Sequence, residues 1–279
     1  MERQEMGVTV PFRGLAPFGV EIERDLSRPL APSEAFHLTQ LLRAHGLILA
    51  RGQSLSMARQ REICALFGPI LDRAGETGTM SNDGGGPSAS ELTWHSDAAY
   101  TEAPFDALAL HALDVVDDAS STRFVSAEQA LAALPPDLAD ALAGREQEMI
   151  SPHYTRLAER TCDRRDPEAQ KRGIRPAIVT NPHNGRRCVW VSELQTARLL
   201  GMDWEESRAV LHVVFDVLYD AAGVFEHRWR KGDLLIWDNI ALQHARGDLA
   251  GVGRRVLQRV IVGTQGVAPH ITPWNIERP

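Results

Sequence analysis

Sulfur is scarce in this chain and follows no bonding pattern. Only Cys64, Cys162 and Cys188 occur in 279 residues, and no two are spaced as CxxC. An odd, sparse set argues against a disulfide framework and reads as reduced thiols of a cytoplasmic protein. Long apolar runs are also missing. None approaches the roughly 18 residues needed to cross a bilayer, and residues 1–12 are too charged for a secretory signal. A basic excess is missing too, with 30 Lys and Arg against 37 Asp and Glu, a net charge of −7. That argues against a nucleic-acid partner. It leaves room for an anionic small molecule, because one or two pocket arginines can hold such a ligand inside an acidic protein. No repeats and no dividing linker occur, so residues 1–279 read as a single domain, with a homo-oligomer left open.

What is present is core material, 43% hydrophobic residues spread along the whole length. Helical spacing is expected over 33–45, with Ser33 as N-cap, over 56–67, stopped by Gly68-Pro69, over 126–144 with a break at Pro135-Pro136, and over 203–221. Strands are expected at 46–50, 92–97, 107–116, 122–125, 225–229, 233–237, 242–244 and 254–262. Asn184-Gly185 is a strong hairpin signal between 176–180 and 187–191. Residues 75–92, rich in Gly, Ser and Thr, and the charged stretch 154–175 read as lids. Many short strands with a few helices fit a double-sheet jelly-roll barrel, a double-stranded β-helix with flanking helices.

Three residues suggest chemistry: His95 and Asp97 in Trp94-His95-Ser96-Asp97, and His244. Positions i and i+2 of a strand share a face, so His95 and Asp97 can aim at one point. A distant histidine then completes two imidazoles and one carboxylate, a set that suits Fe(II) and leaves open positions. With ten histidines in the chain, a core histidine is an equal reading of His95 alone. Further weight comes from Arg255, eleven residues after His244. Alternation places Arg255, Leu257, Arg259 and Ile261 on one strand face, and inward arginines are costly unless a carboxylate meets them.

Trp94-His95-Ser96-Asp97, then Gly232-Asp233-Leu234-Leu235-Ile236-Trp237-Asp238-Asn239, then His244 followed by Arg255, resemble the taurine dioxygenase family, the TauD/TfdA group, over residues 15–265. The resemblance implies an Fe(II)-dependent dioxygenase that consumes 2-oxoglutarate and molecular oxygen, releases succinate and carbon dioxide, and hydroxylates a small-molecule substrate. It implies iron ligation by His95, Asp97 and His244, and a hold on the far carboxylate of 2-oxoglutarate by Arg255. Thr122 would then sit near the iron-chelating end of the cosubstrate, and Arg259 would meet an anionic group of the substrate. Tyr100, close after the metal motif, is a candidate pocket residue. Two departures argue against taurine itself. Phe67-Gly68 is followed by Pro69-Ile70-Leu71-Asp72-Arg73, without the family's histidine and tyrosine, and Ser192-Glu193-Leu194-Gln195 puts Gln195 where an aromatic pocket wall is usual. Desaturation or ring formation by the same chemistry, and a catalytically silent barrel that binds a small acid, are the alternatives.

Overall fold

The apolar runs become the central strands of two facing sheets. The computed structural model describes residues 9–72, 77–83, 89–152, 156–165, 167 and 169–264. The larger sheet runs in the order β1 (Phe12–Gly14), β2 (Val20–Ile22), β3 (Leu47–Ala50), β14 (Leu234–Asp238), β6 (Ala107–Val115), β16 (Arg255–Val262) and β4 (Gly78–Ser81). The sheet facing it contains β13 (Val224–Arg228), β7 (Ser121–Ser126), β15 (Leu242–Arg246) and β5 (Leu92–His95). Within the two sheets, β2 and β3 run parallel and the other pairs antiparallel.

Period-two alternation sorts β16 between two cores. Leu257 and Ile261 point between the sheets and join Phe124, Trp229, Leu235 and Trp237. Val260 and Val262 point outward to α1 (Pro32–His45) and α2 (Met57–Cys64). The outer face of the smaller sheet is covered by α3 (Ala127–Ala133), α4 (Pro136–Leu142) and α5 (Trp204–Leu218), with Val125 and Ala245 packed among Leu134, Leu142, Leu211 and Phe215. The fold is therefore the expected double-stranded β-helix with flanking helices. Phe124, Trp229 and Trp237 are almost fully buried between the sheets, and burying one large apolar side chain stabilises the fold by roughly 1.5–3 kcal/mol.

Local chemistry sets the helix ends, in one case two residues from the expected position. The N-cap of α1 is Ala31 rather than Ser33. Pro32 takes the first helical position, where its missing N–H costs nothing, and the Glu34 carboxylate accepts from the Ala31 N–H at 2.8 Å. At the other end Gly46 adopts φ 73°, and its N–H reaches the Leu42 carbonyl at 2.8 Å, folding the chain straight into β3. Helix α2 stops at Cys64, short of the expected Phe67, while Ser56 caps its start by accepting from the Arg59 N–H at 3.1 Å.

The hairpin around Asn184-Gly185 forms as expected, from β10 (Ile178–Thr180) and β11 (Arg187–Val189), with Gly185 at φ 74°. Both segments expected as lids contain strands. Within 75–92, β4 adds to the edge of the larger sheet by pairing with β16; residues 75–76 and 84–88 lie outside the described residues. Within 154–175, β9 (Ala169–Pro176) pairs with β8 (Glu146–Pro152), and β12 (Thr196–Leu199) completes a third sheet in the order β12, β8, β9. The charge of this region concealed its strands. Glu148 meets Arg172 at 2.7 Å and Arg198 at 2.8 Å, so the charges pair across the sheet.

Each thiol is buried in a different layer: Cys64 with the residues of α1 and α2, Cys162 in the core around α5, and Cys188 beside Met149 and Trp190. No helix among the described residues is long and apolar enough to cross a membrane.

Candidate metal centre

β5 and β15 are neighbours, and their register pairs His95 directly with His244. The two rings lie with centroids 4.2 Å apart. Asp97 completes the group, with its Oδ1 3.2 Å from His95 Nε2 and 3.8 Å from His244 Nε2. Ligand atoms sit roughly 2.0–2.2 Å from a first-row metal ion, so neighbours at about right angles lie about 3 Å apart. His95, Asp97 and His244 offer one donor atom each, all within 4.8 Å of one another, close to that spacing. This donor set, two imidazoles and one carboxylate, fits Fe(II).

The route by which Asp97 arrives differs from the strand alternation expected. β5 ends at His95, and Asp97 lies in the turn that follows, where Ala98 takes φ 58°. Two buried amides hold that turn. Asn239 Oδ1 accepts from the Asp97 N–H at 2.9 Å, while its Nδ2 donates to the Asp97 carbonyl at 2.9 Å and to the Phe105 carbonyl at 2.9 Å. Gln195 Nε2 donates to the Ser96 carbonyl at 3.0 Å. Asn239 is positioned by Asp238, whose Oδ1 accepts from the N–H groups of Ile240 at 2.8 Å and Ala241 at 2.9 Å. Asp238 and Asn239 thus support, from a neighbouring turn, the backbone of a metal-facing carboxylate. Asn239→Ala strips three hydrogen bonds from a buried turn; outer partners of metal ligands typically contribute about 10–100-fold in metal affinity. Metal titration and thermal melting of Asn239→Ala should show a loss of that order and a lower Tm. A wild-type metal affinity would remove Asn239 from the support of the site.

Protonation favours ligation. The Thr93 carbonyl, which can only accept, lies 2.8 Å from His95 Nδ1, so that nitrogen carries a proton; Nε2 faces Asp97, where a bound metal would take the place of any proton the two share. Burial, then the neighbouring charge of His95, pushes the His244 imidazole down to about 3, against the pull of Asp97. It is neutral at ordinary pH. Burial works to raise the Asp97 carboxyl, but the His95 hydrogen bond and the neighbouring His244, His95 and Arg259 side chains outweigh it and hold the group well below the usual range. Phe124 and Trp237 pack against the His244 ring with centroids at 6.0 and 5.2 Å.

The arginines of β16 are placed as alternation suggested, although the pairing of β16 with β6 shifts register between Val256 and Leu257. Arg255 is buried, its Nε lacks a partner among the described residues, and its guanidinium carbon lies 5.9 Å from the Trp229 ring centroid. Burial, then the charge of Arg246, lowers its pKa. Arg259 Nη1 lies 3.5 Å from Asp97 Oδ2, so an internal carboxylate is one of its neighbours. Thr122 is buried and its Oγ1 accepts from Trp229 Nε1 at 3.0 Å. Since the Trp229 ring faces Arg255, these contacts link Thr122 with Arg255. Gln195 is engaged within the protein. Its Nε2 donates to the Ser96 carbonyl and its Oε1 accepts from Ser192 Oγ at 3.3 Å, so the amide braces the metal turn. Tyr100 packs beside Ala99, Met149 and Trp190, and its carbonyl approaches Gly173 of β9 closely enough that a Cβ there would clash.

Arg246 was missed. It lies two residues after His244 on β15, so the alternation already applied to His95 and Asp97 could have found it. A second group of donor atoms, Cys162, Asp163 and His212, also converges. There the same Asp163 oxygen is shared by Arg208 at 2.7 Å and His212 at 2.6 Å, which makes it an ion-pair cluster.

Comparison with known proteins agrees with this geometry. The family model described as "Taurine catabolism dioxygenase TauD, TfdA family" matches residues 11–261. The chain is 27% identical to the alpha-ketoglutarate-dependent 2,4-dichlorophenoxyacetate dioxygenase of Cupriavidus pinatubonensis, covering 90% of this chain and 96% of the relative. It is 24% identical to a pentalenolactone F synthase of Streptomyces avermitilis, covering 86% and 80%. Among solved structures, a taurine dioxygenase from Burkholderia xenovorans superposes with a TM-score of 0.76 at 21% identity, covering 91% of this chain and 90% of that one.

Proposed function

Since the chain belongs to the TauD/TfdA family of taurine catabolism dioxygenases, we propose that it hydroxylates an unactivated carbon of a small organic acid. Dependence on 2-oxoglutarate, Fe(II) and oxygen comes with the family. The observation that carries the reading to this chain is the convergence of His95, Asp97 and His244. Fe(II) held there would, with oxygen and 2-oxoglutarate, supply the oxidant for the substrate carbon while 2-oxoglutarate is split into succinate and carbon dioxide.

The chain's own residues bind, orient and shield. His95 presents Nε2 because Thr93 holds its other nitrogen. Asp97 is fixed by Asn239, and Gln195 holds the peptide before it. Arg255 takes the far carboxylate of 2-oxoglutarate, and Thr122, on the Arg255 side, is placed to add a hydroxyl donor. Phe124 and Trp237 keep water from the flank of His244. Tyr100 serves as a pocket-wall residue, and residues 1–279 act as one catalytic domain.

An anionic substrate is supported by the carboxylate, 2,4-dichlorophenoxyacetate, for which the C. pinatubonensis relative is named and by Arg259 beside the metal-facing carboxylate. Arg259→Gln should raise substrate KM by about tenfold or more, the loss expected for a charged hydrogen bond, with 2-oxoglutarate KM near wild type. If thermal stability alone falls, Arg259 is an ion-pair partner of Asp97 and the anionic-substrate reading fails. The broad test is a screen of small carboxylic acids and amino-acid derivatives for stimulated succinate release under Fe(II) and ascorbate. Product analysis then separates hydroxylation from desaturation or ring closure. A protein that binds 2-oxoglutarate but releases no succinate with or without any added acid would instead be a small-acid-binding barrel.

A further inference from the structure

Arg255 has a companion. Arg246 follows Ala245, which pairs with Arg123, so Arg246 stands level with Thr122 on the adjoining strand. Alternation along β15 turns Ala245 outward into the helix-covered core and Leu242 inward between the sheets. Arg246 therefore shares the inward face of His244. Its Nη2 donates to the Ser90 carbonyl at 2.8 Å, while its Nη1 is buried with no hydrogen-bond partner among the described residues. Arg255 is in the same condition, buried with its Nε unpartnered. Thr122, level with Arg246, is bonded to Trp229, and the Trp229 ring lies under Arg255. The two guanidinium groups thus lie on the same side of Thr122 and Trp229, near enough for the charge of Arg246 to act on Arg255, and neither forms an ion pair with an acid among the described residues. Asp248 is the acidic group whose charge reaches Arg246.

Two desolvated cations side by side repel each other, and each N–H left without an acceptor adds to the cost. One inserted carboxylate relieves both faults. Its two oxygens can take donors from both guanidinium forks, the geometry in which arginine binds carboxylates best. A monoanion beside a single arginine would leave the second cation uncompensated.

We propose that Arg246 and Arg255 together hold the far carboxylate of 2-oxoglutarate, an extension that rests on the dioxygenase reading above. The site would then select a dicarboxylate over a 2-oxo acid of equal length more sharply than one arginine allows. The same pairing makes the site unfavourable when empty.

The test is isothermal titration, under nitrogen, of Mn(II)-loaded wild type, Arg246→Met and Arg246→Lys with 2-oxoglutarate and with 2-oxopentanoate, which lacks the far carboxylate. Expected is a rise in the 2-oxoglutarate Kd of about tenfold or more in Arg246→Met, a smaller rise in Arg246→Lys, and less than about twofold change for 2-oxopentanoate. Melting without ligand adds a second readout: Arg246→Met should melt no lower than wild type, because an uncompensated buried charge has been removed. A 2-oxoglutarate Kd within twofold of wild type overturns the proposal, and a rise confined to substrate KM would move Arg246 to the substrate. Wild type that fails to bind 2-oxoglutarate at all would instead overturn the dioxygenase reading itself, and is seen before any variant is made.

Discussion

His95→Ala is expected to purify without bound iron and to release no succinate above the protein-free blank. The variant removes one of three donors whose ligand atoms all lie within 4.8 Å of one another. It also removes the strongest attraction that keeps the buried Asp97 carboxyl ionised, its hydrogen bond to His95. The metal would be left with His244 and a carboxylate more inclined to hold a proton. Loss of an outer partner of a ligand already costs about 10–100-fold in affinity, so loss of the ligand itself should exceed that range. The fold should survive, because the sheets are held mainly by Phe124, Trp229, Trp237 and their neighbours. The checks are metal content by elemental analysis, circular dichroism, and succinate release. An iron-replete, active His95→Ala protein would place the metal elsewhere.

Arg255→Ala should raise the KM for 2-oxoglutarate by about ten to more than a hundredfold, since a charged hydrogen bond to a buried group is worth roughly 1.5–3 kcal/mol. The structure adds a second expectation. An arginine that stabilised the fold through an ion pair would lower Tm when removed. Arg255 has no such pair among the described residues, and its backbone N–H is held by Asn82 Oδ1 at 2.8 Å whatever its side chain. Arg255→Ala is therefore expected to keep its ligand-free Tm to within a few degrees while losing the stabilisation that 2-oxoglutarate gives wild type. Unchanged 2-oxoglutarate dependence of succinate release would remove Arg255 from the cosubstrate site.

Strand-level features were legible because they depend on period and spacing. β14 reads as an unbroken apolar run, and the alternation of β16 separated Leu257 and Ile261 from Val260 and Val262. The pairing of His95 with His244 was not legible. It depends on which strands become neighbours, and nothing local to residues 92–95 or 242–246 encodes that choice. Asp97 was assigned to the correct point by the wrong route, because the Asn239 hydrogen bonds that shape its turn come from a segment distant in sequence. β8 and β9 were hidden for a related reason. Their charges look solvated along the chain and are paired only across it.

The burial of Cys64, Cys162 and Cys188 bears on how this protein can be watched as it opens. Burial raises the pKa of all three thiols, so the reactive thiolate is rare in the folded state and an alkylating reagent must wait for a local or global opening. Because the three lie in different packing clusters, site-resolved labelling would act as three separate clocks. If 2-oxoglutarate and metal tighten the barrel, the thiol that slows most on their addition identifies the layer most strongly coupled to the bound state, without any engineered probe.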